Sequence, residues 1–197
     1  MVNRHNKHKL GYKVAPRPLP VGRLCTSLVV RRGLRGQTVL GHLRVNAAIT
    51  LTCVLGANGV KSCKREGDKA TPAGSMRILS GYYRDDRVAR PQCRVPLRPL
   101  RPALGWCDDP GSPLYNRPAP LPMREGHETM WRKDGLYDVV FVLDYNIAPR
   151  RKGLGSAIFL HCAKPNLTPT LGCVALRPAD MRRLLPRLAR GVKVIVR

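Results

Sequence analysis

A histidine and a cysteine stand twelve residues apart in the segment HCAKPNLTPTLGCVALRPADM, which runs from His161 to Met181. A cysteine thiolate is a strong nucleophile, and an imidazole beside it can take the thiol proton and return it later. Cys173 follows a glycine and a proline-rich loop that could bring it back to His161. The residues alone leave two interpretations open: Cys173 is a buried apolar residue at a tight turn, or it is a nucleophile within reach of a base.

Residues next to His161 and Cys173 could support a nucleophilic role for Cys173. Gly172 leaves room for a substrate to approach the backbone, so the amides of Gly172 and Cys173 are candidates for stabilising an oxyanion. Thr170 offers a hydroxyl within the same turn. If His161 faces the site from a strand, alternation turns Cys162 to the other face, which makes Cys162 part of the wall.

The first half of the chain that must support this site is typical of β-structure. Residues 24–30 and 42–56 are rich in Val, Ile, Leu and Thr and predict strands, the second long enough to bend or carry a bulge. Residues 75–79 predict a further strand. Residues 84–124 carry so many prolines that we expect neither a helix nor a central strand there. Residues 126–135 permit one or two helical turns.

The second half predicts the strand that carries His161. The continuous apolar centre of residues 137–146 indicates a strand buried on both faces, and residues 156–162 indicate another. Residues 178–191 predict a helix that Pro186 should shorten or kink, followed by a closing strand at 192–197. The apolar face of that helix would consist of Met181, Leu184, Leu185 and Leu188. The expected fold is mainly β with a few short helices, in one domain over residues 23–197 after a basic arm at residues 1–22.

The charge of the chain indicates a class of partner. It carries 36 Lys and Arg against 12 Asp and Glu, a formal net charge of +24, and no acid precedes Glu66. Such a field attracts polyanions, among them nucleic acid, an anionic membrane face and an anionic wall polymer. With 5% aromatic residues and no helix-turn-helix or zinc-finger spacing, we expect no nucleic-acid binding.

Other sequence features exclude some classes of protein. No apolar run approaches the roughly 20 residues of a transmembrane helix, so no transmembrane segment is expected. The basic N-terminus lacks the apolar stretch of a recognisable signal peptide. None of the seven cysteines forms a C-x-x-C pair, so zinc-ribbon and thioredoxin-type sites have no support.

Several segments in order along the chain resemble the catalytic domain of the L,D-transpeptidases, the YkuD-type family. In that family a histidine on a strand precedes a Ser/Thr-x-Gly-Cys turn, which here is Thr170-Leu171-Gly172-Cys173. The other segments are LGANGVKSCKREGDKATPAG, WRKDGLYDVVFVLDYN and GSAIFLH. The resemblance covers roughly residues 24–197 and is to a compact branch from Gram-negative bacteria.

The resemblance implies a β-sandwich or barrel unlike the fold of penicillin-binding proteins, and acyl transfer on peptidoglycan stem peptides. By that likeness Cys173 attacks the L,D bond between the third-position diamino acid and D-Ala, and His161 acts as base and then as acid. The thioester is then resolved by an amine of another stem, giving a 3→3 cross-link. An amine of an envelope protein or water can take that place. The resemblance implies no cofactor and no metal, and a location in the periplasm or cell envelope.

Two positions depart from the family pattern. Many members carry a second histidine directly before the Gly-Cys pair, where this chain has Leu171, and an arginine two residues after the cysteine, where it has Ala175. Arg177, further along, is a candidate for binding a substrate carboxylate or is simply exposed before the helix. The departures leave the primary chemistry in place and bear on the choice of acceptor.

Three further residues are candidates for substrate binding. His127 and Trp131 would form a lid wall against the stem peptide; the alternative is a surface helical turn with Trp131 anchored in the core. Asn146 ends a buried strand, where sites often form, although asparagine also suits a turn.

The residues and the resemblance together leave several functions open. An L,D-transpeptidase is favoured. An L,D-carboxypeptidase or amidase would use the same thioester with water as acceptor. The alternative of another class is a basic module that binds nucleic acid or wall polymer, in which Cys173 is structural.

Overall fold

The computed structural model describes residues 23–33, 39–46 and 49–197, so the basic arm expected at residues 1–22 lies outside it. The described residues form mostly β-structure with one short α-helix, α1 (Pro178–Leu184). The strands are β1 (Ser27–Arg32), β2 (Leu40–Val45), β3 (Ile49–Val54), β4 (Val60–Lys61), β5 (Thr71–Pro72), β6 (Gly74–Tyr83), β7 (Leu97–Pro99), β8 (Leu104–Cys107), β9 (Arg117–Pro120), β10 (His127–Thr129), β11 (Val139–Leu143), β12 (Phe159–Cys162), β13 (Val174–Leu176) and β14 (Lys193–Val196).

Eight of these strands form a closed barrel. Their order is β11-β12-β13-β3-β2-β1-β14-β6, and a pairing between β6 and β11 closes the ring. The pairs β1–β14 and β12–β13 are parallel. Inward-facing side chains alternate along each strand and fill the interior with Val, Leu, Ile and Phe, so burial of this apolar surface holds the barrel together. The expectation of a mainly β barrel is confirmed.

The proline-rich segment builds a small sheet outside the barrel. Strand β8 lies between β10 and β9 in this sheet, and β7 is the edge strand that extends the large sheet beyond β6. The prediction that residues 84–124 contain no helix is confirmed. The exclusion of a central strand was wrong for β8, because its four residues contain no proline and keep all their backbone donors.

Two other local predictions were wrong. Residues 42–56 form two strands, β2 and β3, because the chain reverses at Asn46, whose φ of 53° lies in the left-handed region that asparagine tolerates. Residues 126–135 contain no helical turn. The strand β10 forms there instead, because His127, Glu128 and Thr129 pair with the backbone of β8.

The helix and the buried strands agree with expectation. All five residues of β11 are buried, as a strand covered on both faces requires. Helix α1 ends before Pro186, and a single 3-10 turn, Leu185–Arg187, replaces its last turn. Met181 and Leu184 are buried against the barrel interior. In the part of the chain that the structure describes, no helix is long and apolar enough to cross a membrane.

Candidate active site

The parallel pair β12–β13 brings the candidate base and nucleophile to one face of the barrel. His161 pairs with Ala175 and Leu160 with Val174, so Cys173, just before β13, lies beside Phe159. Cys173 and His161 therefore share the outer face as diagonal neighbours, with Cα atoms about 8 Å apart given the strand spacing and rise. Cys162 packs into the barrel interior instead, which confirms that strand alternation turns it away from His161.

The Cys173 thiol is held by the backbone of the segment that leads into β12. Its Sγ accepts a hydrogen bond from the Phe159 amide at 3.3 Å and donates to the Ala157 carbonyl at 3.1 Å. Burial raises the pKa of Cys173 to about 12, against a smaller lowering by the Phe159 amide. At neutral pH the resting group is consequently a protonated thiol.

The imidazole of His161 is buried and oriented by its own strand. Nδ1 lies 2.7 Å from the Cys162 carbonyl oxygen, and because a carbonyl only accepts, Nδ1 carries the proton. The ring packs edge-on against Tyr137, with centroids 5.3 Å apart. Burial lowers the pKa of His161 to about 4, so the ring is neutral and Nε2 is a free base.

The turn before Cys173 is hydrogen-bonded to the loop that contains Leu55 and Ala57. The Thr170 hydroxyl donates to the Cys173 carbonyl at 2.7 Å and accepts from the Gly172 amide at 3.1 Å. The Thr170 backbone exchanges hydrogen bonds of 2.9 Å with Leu55 and Ala57. The predicted hydroxyl of the turn thus fixes the backbone on both sides of Gly172.

Gly172 occupies a position that a side chain would not fit. Its φ is 142°, and a Cβ built on it would lie 2.9 Å from the Ala70 carbonyl oxygen. Leu171, in the same turn, is 70% exposed. The turn therefore presses its glycine against the 69–71 loop and points an apolar side chain into solvent.

A residue that sequence reasoning missed, Asn116, organises the backbone around the thiol. Its side-chain oxygen accepts from the Trp106 indole at 3.0 Å and from the Ala157 amide at 3.1 Å. Its side-chain nitrogen donates to the carbonyls of Tyr145 and Asn146 at 3.1 Å and 2.8 Å. The Ala157 carbonyl in turn accepts the hydrogen bond of the Cys173 thiol. Asn116 is therefore a positioning residue one peptide away from the nucleophile.

The segment between β10 and β11 covers the same face of the barrel. Tyr137 contacts both His161 and Phe159 edge-on, and burial raises the pKa of its hydroxyl well above the ordinary value. Arg132 bridges to Glu128 at 2.8 Å and lies 5.4 Å from the Tyr137 ring centroid. Burial raises the pKa of the Glu128 carboxyl, and its charge adds to the burial that raises the pKa of Cys173.

Trp131 is part of this cover. It is half-buried against the cluster that contains Cys173, and the Arg84 guanidinium lies 3.6 Å from its ring centroid. Arg84 is itself buried and paired with Asp86 at 2.6 Å. The prediction that Trp131 is anchored in the core agrees with this packing, while the helical turn around it is absent from this stretch.

The other predicted binding residues are His127, Asn146 and Arg177, and none of the described hydrogen bonds joins them to Cys173 or His161. His127 is half-buried on β10, with Nδ1 2.9 Å from the Glu125 carbonyl, beside a shallow groove lined by Pro102 and Met123. The Asn146 side chain closes the 146–155 loop through hydrogen bonds of 2.8 Å to Arg151 and Gly155. Arg177 is exposed beyond the far end of β13, about 13 Å along the strand from Cys173.

Among the residues that the structure describes, no group of three or more His, Cys, Asp or Glu is placed to hold a metal ion. All seven cysteines are free thiols, and Cys25, Cys53, Cys107 and Cys162 are buried as small apolar residues.

Comparison with solved structures finds two L,D-transpeptidases and a third protein, Bd1075, all at low identity. L,D-transpeptidase 1 of Mycobacterium tuberculosis shows 12% identity over 86% of this chain and 61% of its own, with a TM-score of 0.37. An L,D-transpeptidase from Mycobacterium smegmatis shows 12% identity over 87% and 58%, with a TM-score of 0.41. Bd1075 of Bdellovibrio bacteriovorus shows 14% over 91% and 53%, with a TM-score of 0.42. The chain thus spans only about half to three fifths of these proteins.

No curated protein matches the chain. A family model does match, that of the L,D-transpeptidase catalytic domain (YkuD), over residues 30–196, which include every strand of the barrel from Val30 onward together with His161 and Cys173. The chain belongs to the L,D-transpeptidase catalytic domain family.

Proposed function

We propose that the chain is a cysteine-dependent L,D-transpeptidase that acts on peptidoglycan stem peptides. One observation carries the proposal: Cys173 and His161 share one face of adjacent parallel strands, and His161 Nδ1 is committed to the Cys162 carbonyl. That commitment leaves Nε2 as the proton acceptor on the face that bears the thiol. Family membership supports a peptidoglycan transpeptidase-type reaction.

The proposed first step forms a thioester. The thiol exchanges its hydrogen bond to Ala157 for one to His161 Nε2, which takes the proton as Sγ attacks the carbonyl carbon of the L,D bond. The C–N bond then breaks, and the D-Ala amine leaves with the proton that His161 returns. The acyl group, ending in the third-position diamino acid, stays on Cys173.

The proposed second step transfers the acyl group to an amine. The acceptor amine of another stem loses a proton to His161 Nε2 and attacks the thioester carbonyl. The C–S bond breaks and the proton returns to the sulfur, so the enzyme is regenerated without a cofactor. The product is a 3→3 cross-link; an amine of an envelope protein or water would give attachment or hydrolysis at the same carbon.

The oxyanion formed in each step needs donors close to Cys173. The Gly172 amide already donates to Thr170 Oγ1 at 3.1 Å. We therefore assign the Cys173 amide as the hydrogen-bond donor that stabilises the oxyanion. Trp131 packs half-buried against the cluster that contains Cys173, and Leu171 is exposed in the same turn, so both would contact the stem peptides. Peptidoglycan lies outside the cytoplasm, so the reaction requires delivery of the chain to the periplasm or cell envelope.

The test uses a carbapenem as an electrophile that traps the acyl-enzyme. We expect a single covalent adduct by intact-protein mass spectrometry, on Cys173 by peptide mapping. Cys173→Ala should give a folded protein with no adduct, and His161→Ala should slow adduct formation by about 10²–10⁴-fold. The matched control is Cys162→Ala, which removes a thiol one residue from His161 on the opposite face and should keep the adduct.

An adduct on another thiol, or an active Cys173→Ala variant, would refute the assignment. Circular dichroism of each variant separates loss of the nucleophile from loss of the fold. Incubation with a tetrapeptide, with and without an added amine acceptor, distinguishes transfer from hydrolysis: a transpeptidase gives a new amide in the first case. Release of D-Ala alone in both cases would indicate the carboxypeptidase.

A further inference from the structure

One wall of the barrel carries only positive charge. Strands β2, β1, β14 and β6 lie side by side, and no Asp or Glu occurs in the sequence of any of them. Four exposed cations point outward from these strands and a fifth, Arg197, directly follows β14. We call the surface they form the basic wall: Arg31, Arg44, Arg77, Lys193 and Arg197.

The strand register fixes how these cations are spaced. Lys193 pairs with Arg77, which places two charges side by side at one end of the wall. Arg31 and Arg197 are neighbours at the other end, since the Arg197 amide donates to Val30 at 3.0 Å. Arg44 lies between the two ends, beside Val29. The ends are four residues apart along β14, or about 13 Å.

The centre of the basic wall is apolar. Val29 pairs with Ile195, both point outward, and both are only half-buried. The neighbouring outward positions are the small polar residues Ser27, Ser75 and Thr50. A patch of aliphatic side chains ringed by Lys and Arg presents to a partner both charge and a small apolar contact.

The acids of the chain are concentrated elsewhere. Asp144 borders the wall, where its carboxylate accepts a hydrogen bond from the Arg77 backbone amide at 2.7 Å. Two of the other acids lie near the candidate active site: Glu66 accepts from the Ser156 hydroxyl at 2.8 Å, one residue before Ala157, and Glu128 pairs with Arg132 beside Tyr137. The four strands of the wall thus carry cations without acids, while Glu66 and Glu128 lie on the side of Cys173.

The basic wall also faces away from Cys173. In the order of the closed barrel, β12 and β13 are separated from β1 and β14 by two or more strands in either direction. Since Cys173 and His161 face outward from β12 and β13, a surface bound by the basic wall lies across the barrel from the thiol.

We propose that the basic wall docks the protein peripherally on an anionic lipid surface. Each Lys or Arg held near such a surface strengthens binding about fivefold, and the outward Val29 and Ile195 would add apolar contact at the headgroup boundary. The position of the thiol favours a lipid surface over the polymeric substrate, because a substrate strand bound to this wall would lie on the side opposite Cys173. Docking in this orientation leaves the site facing away from the lipid.

The test is sedimentation of the full chain with phosphatidylglycerol–phosphatidylcholine vesicles, compared with pure phosphatidylcholine vesicles. The triple variant Arg44→Gln, Arg77→Gln and Lys193→Gln should weaken binding to the anionic vesicles on the order of 100-fold. The matched control, Arg90→Gln, Arg124→Gln and Arg190→Gln, removes the same charge from exposed positions outside the wall and should weaken it less than about tenfold.

Equal losses in the two triple variants would overturn the proposal, because binding would then follow net charge alone. Equal binding to charged and uncharged vesicles would overturn it too. A wall variant that binds vesicles normally but loses binding to peptidoglycan sacculi would also overturn it, since the wall would then bind the polymer and not the lipid. The wall variant should still form the carbapenem adduct at the wild-type rate, so failure here is separate from failure of the proposed reaction.

Discussion

Cys173 and His161 form a neutral pair at rest. Burial raises the pKa of the thiol to about 12 and lowers that of the imidazole to about 4, so a thiolate–imidazolium pair is unfavourable until a substrate arrives. In the reaction proposed above, the proton would therefore move as the S–C bond forms rather than beforehand. A buried, neutral thiol is also poorly reactive toward adventitious electrophiles, which confines its chemistry to ligands that fit the site.

Substitution of Asn116 tests whether the Ala157 backbone positions the thiol of Cys173. Asn116→Ala should slow adduct formation at Cys173 by about 10²-fold, because Ala157 loses the bond that fixes the carbonyl holding the thiol. It should also leave the buried Trp106 indole donor unpaired, which costs about 1–3 kcal/mol. Rates come from intact-protein mass spectrometry with a carbapenem.

The control for Asn116 is Trp106→Phe, which removes the indole donor and keeps the bond between Asn116 and Ala157. If Trp106→Phe lowers the adduct rate as much as Asn116→Ala does, packing rather than positioning of Ala157 is responsible. A comparable loss of thermal stability in both variants makes the comparison fair.

At the scale of the elements, the turn into β13 is the part that least tolerates change. Gly172→Ala should shift the turn, because its Cβ would lie 2.9 Å from the Ala70 oxygen at a φ of 142°. We expect about 1–3 kcal/mol of strain and a clear slowing of adduct formation. Gly191→Ala is the control: its φ of 87° is also positive, but nothing lies within 4 Å of the added Cβ. Equal rates in the two variants would show that the turn does not position Cys173.

The sequence predicts elements well where a pattern is local. The all-apolar run of β11, the strand that carries His161 and the helix shortened by Pro186 were each identifiable from periodicity or from a missing backbone donor. The three-residue strand β13 is too short for any period, and the hairpin at Asn46 lacks the Asn-Gly signal of a tight turn.

In the candidate site, too, some residues are predictable from local sequence and others are not. His161 and Cys173 are identifiable by residue type and spacing, and alternation correctly places Cys162 on the other face. Asn116 is not identifiable, because its partners Trp106 and Ala157 are joined to it only by the folded loops of a segment without periodicity. Tyr137 likewise meets His161 only through tertiary structure, although it stands two residues before the buried strand β11.

At the scale of the whole molecule, the buried neutral histidine couples stability to pH. The folded-state pKa of His161 is about 4 against an ordinary value of 6.5, so between these values the unfolded chain binds a proton that the folded chain does not. The free energy of unfolding should therefore fall as pH falls from 6.5 to 4, by on the order of 3 kcal/mol. Below about pH 4 the folded protein also takes up the proton, and His161 no longer contributes to the pH dependence of the free energy of unfolding.

Denaturant unfolding of the wild type and of His161→Gln at pH 7 and pH 4.5 or so measures this coupling. The variant should lose less stability on acidification than the wild type does. His42→Gln, which changes an exposed histidine on β2, is the control and should behave as the wild type. Identical acid sensitivity of wild type and His161→Gln would contradict the burial of a neutral His161.

The parallel pairing of β1 with β14 has a consequence for how the molecule forms. Ser27 pairs with Lys193, so the ring of strands closes through contacts between residues more than 160 positions apart. Loops of this length are costly to close, and proteins rich in such distant contacts fold slowly. No shorter part of the chain encloses the apolar interior, so folding of the barrel must wait for its last strand.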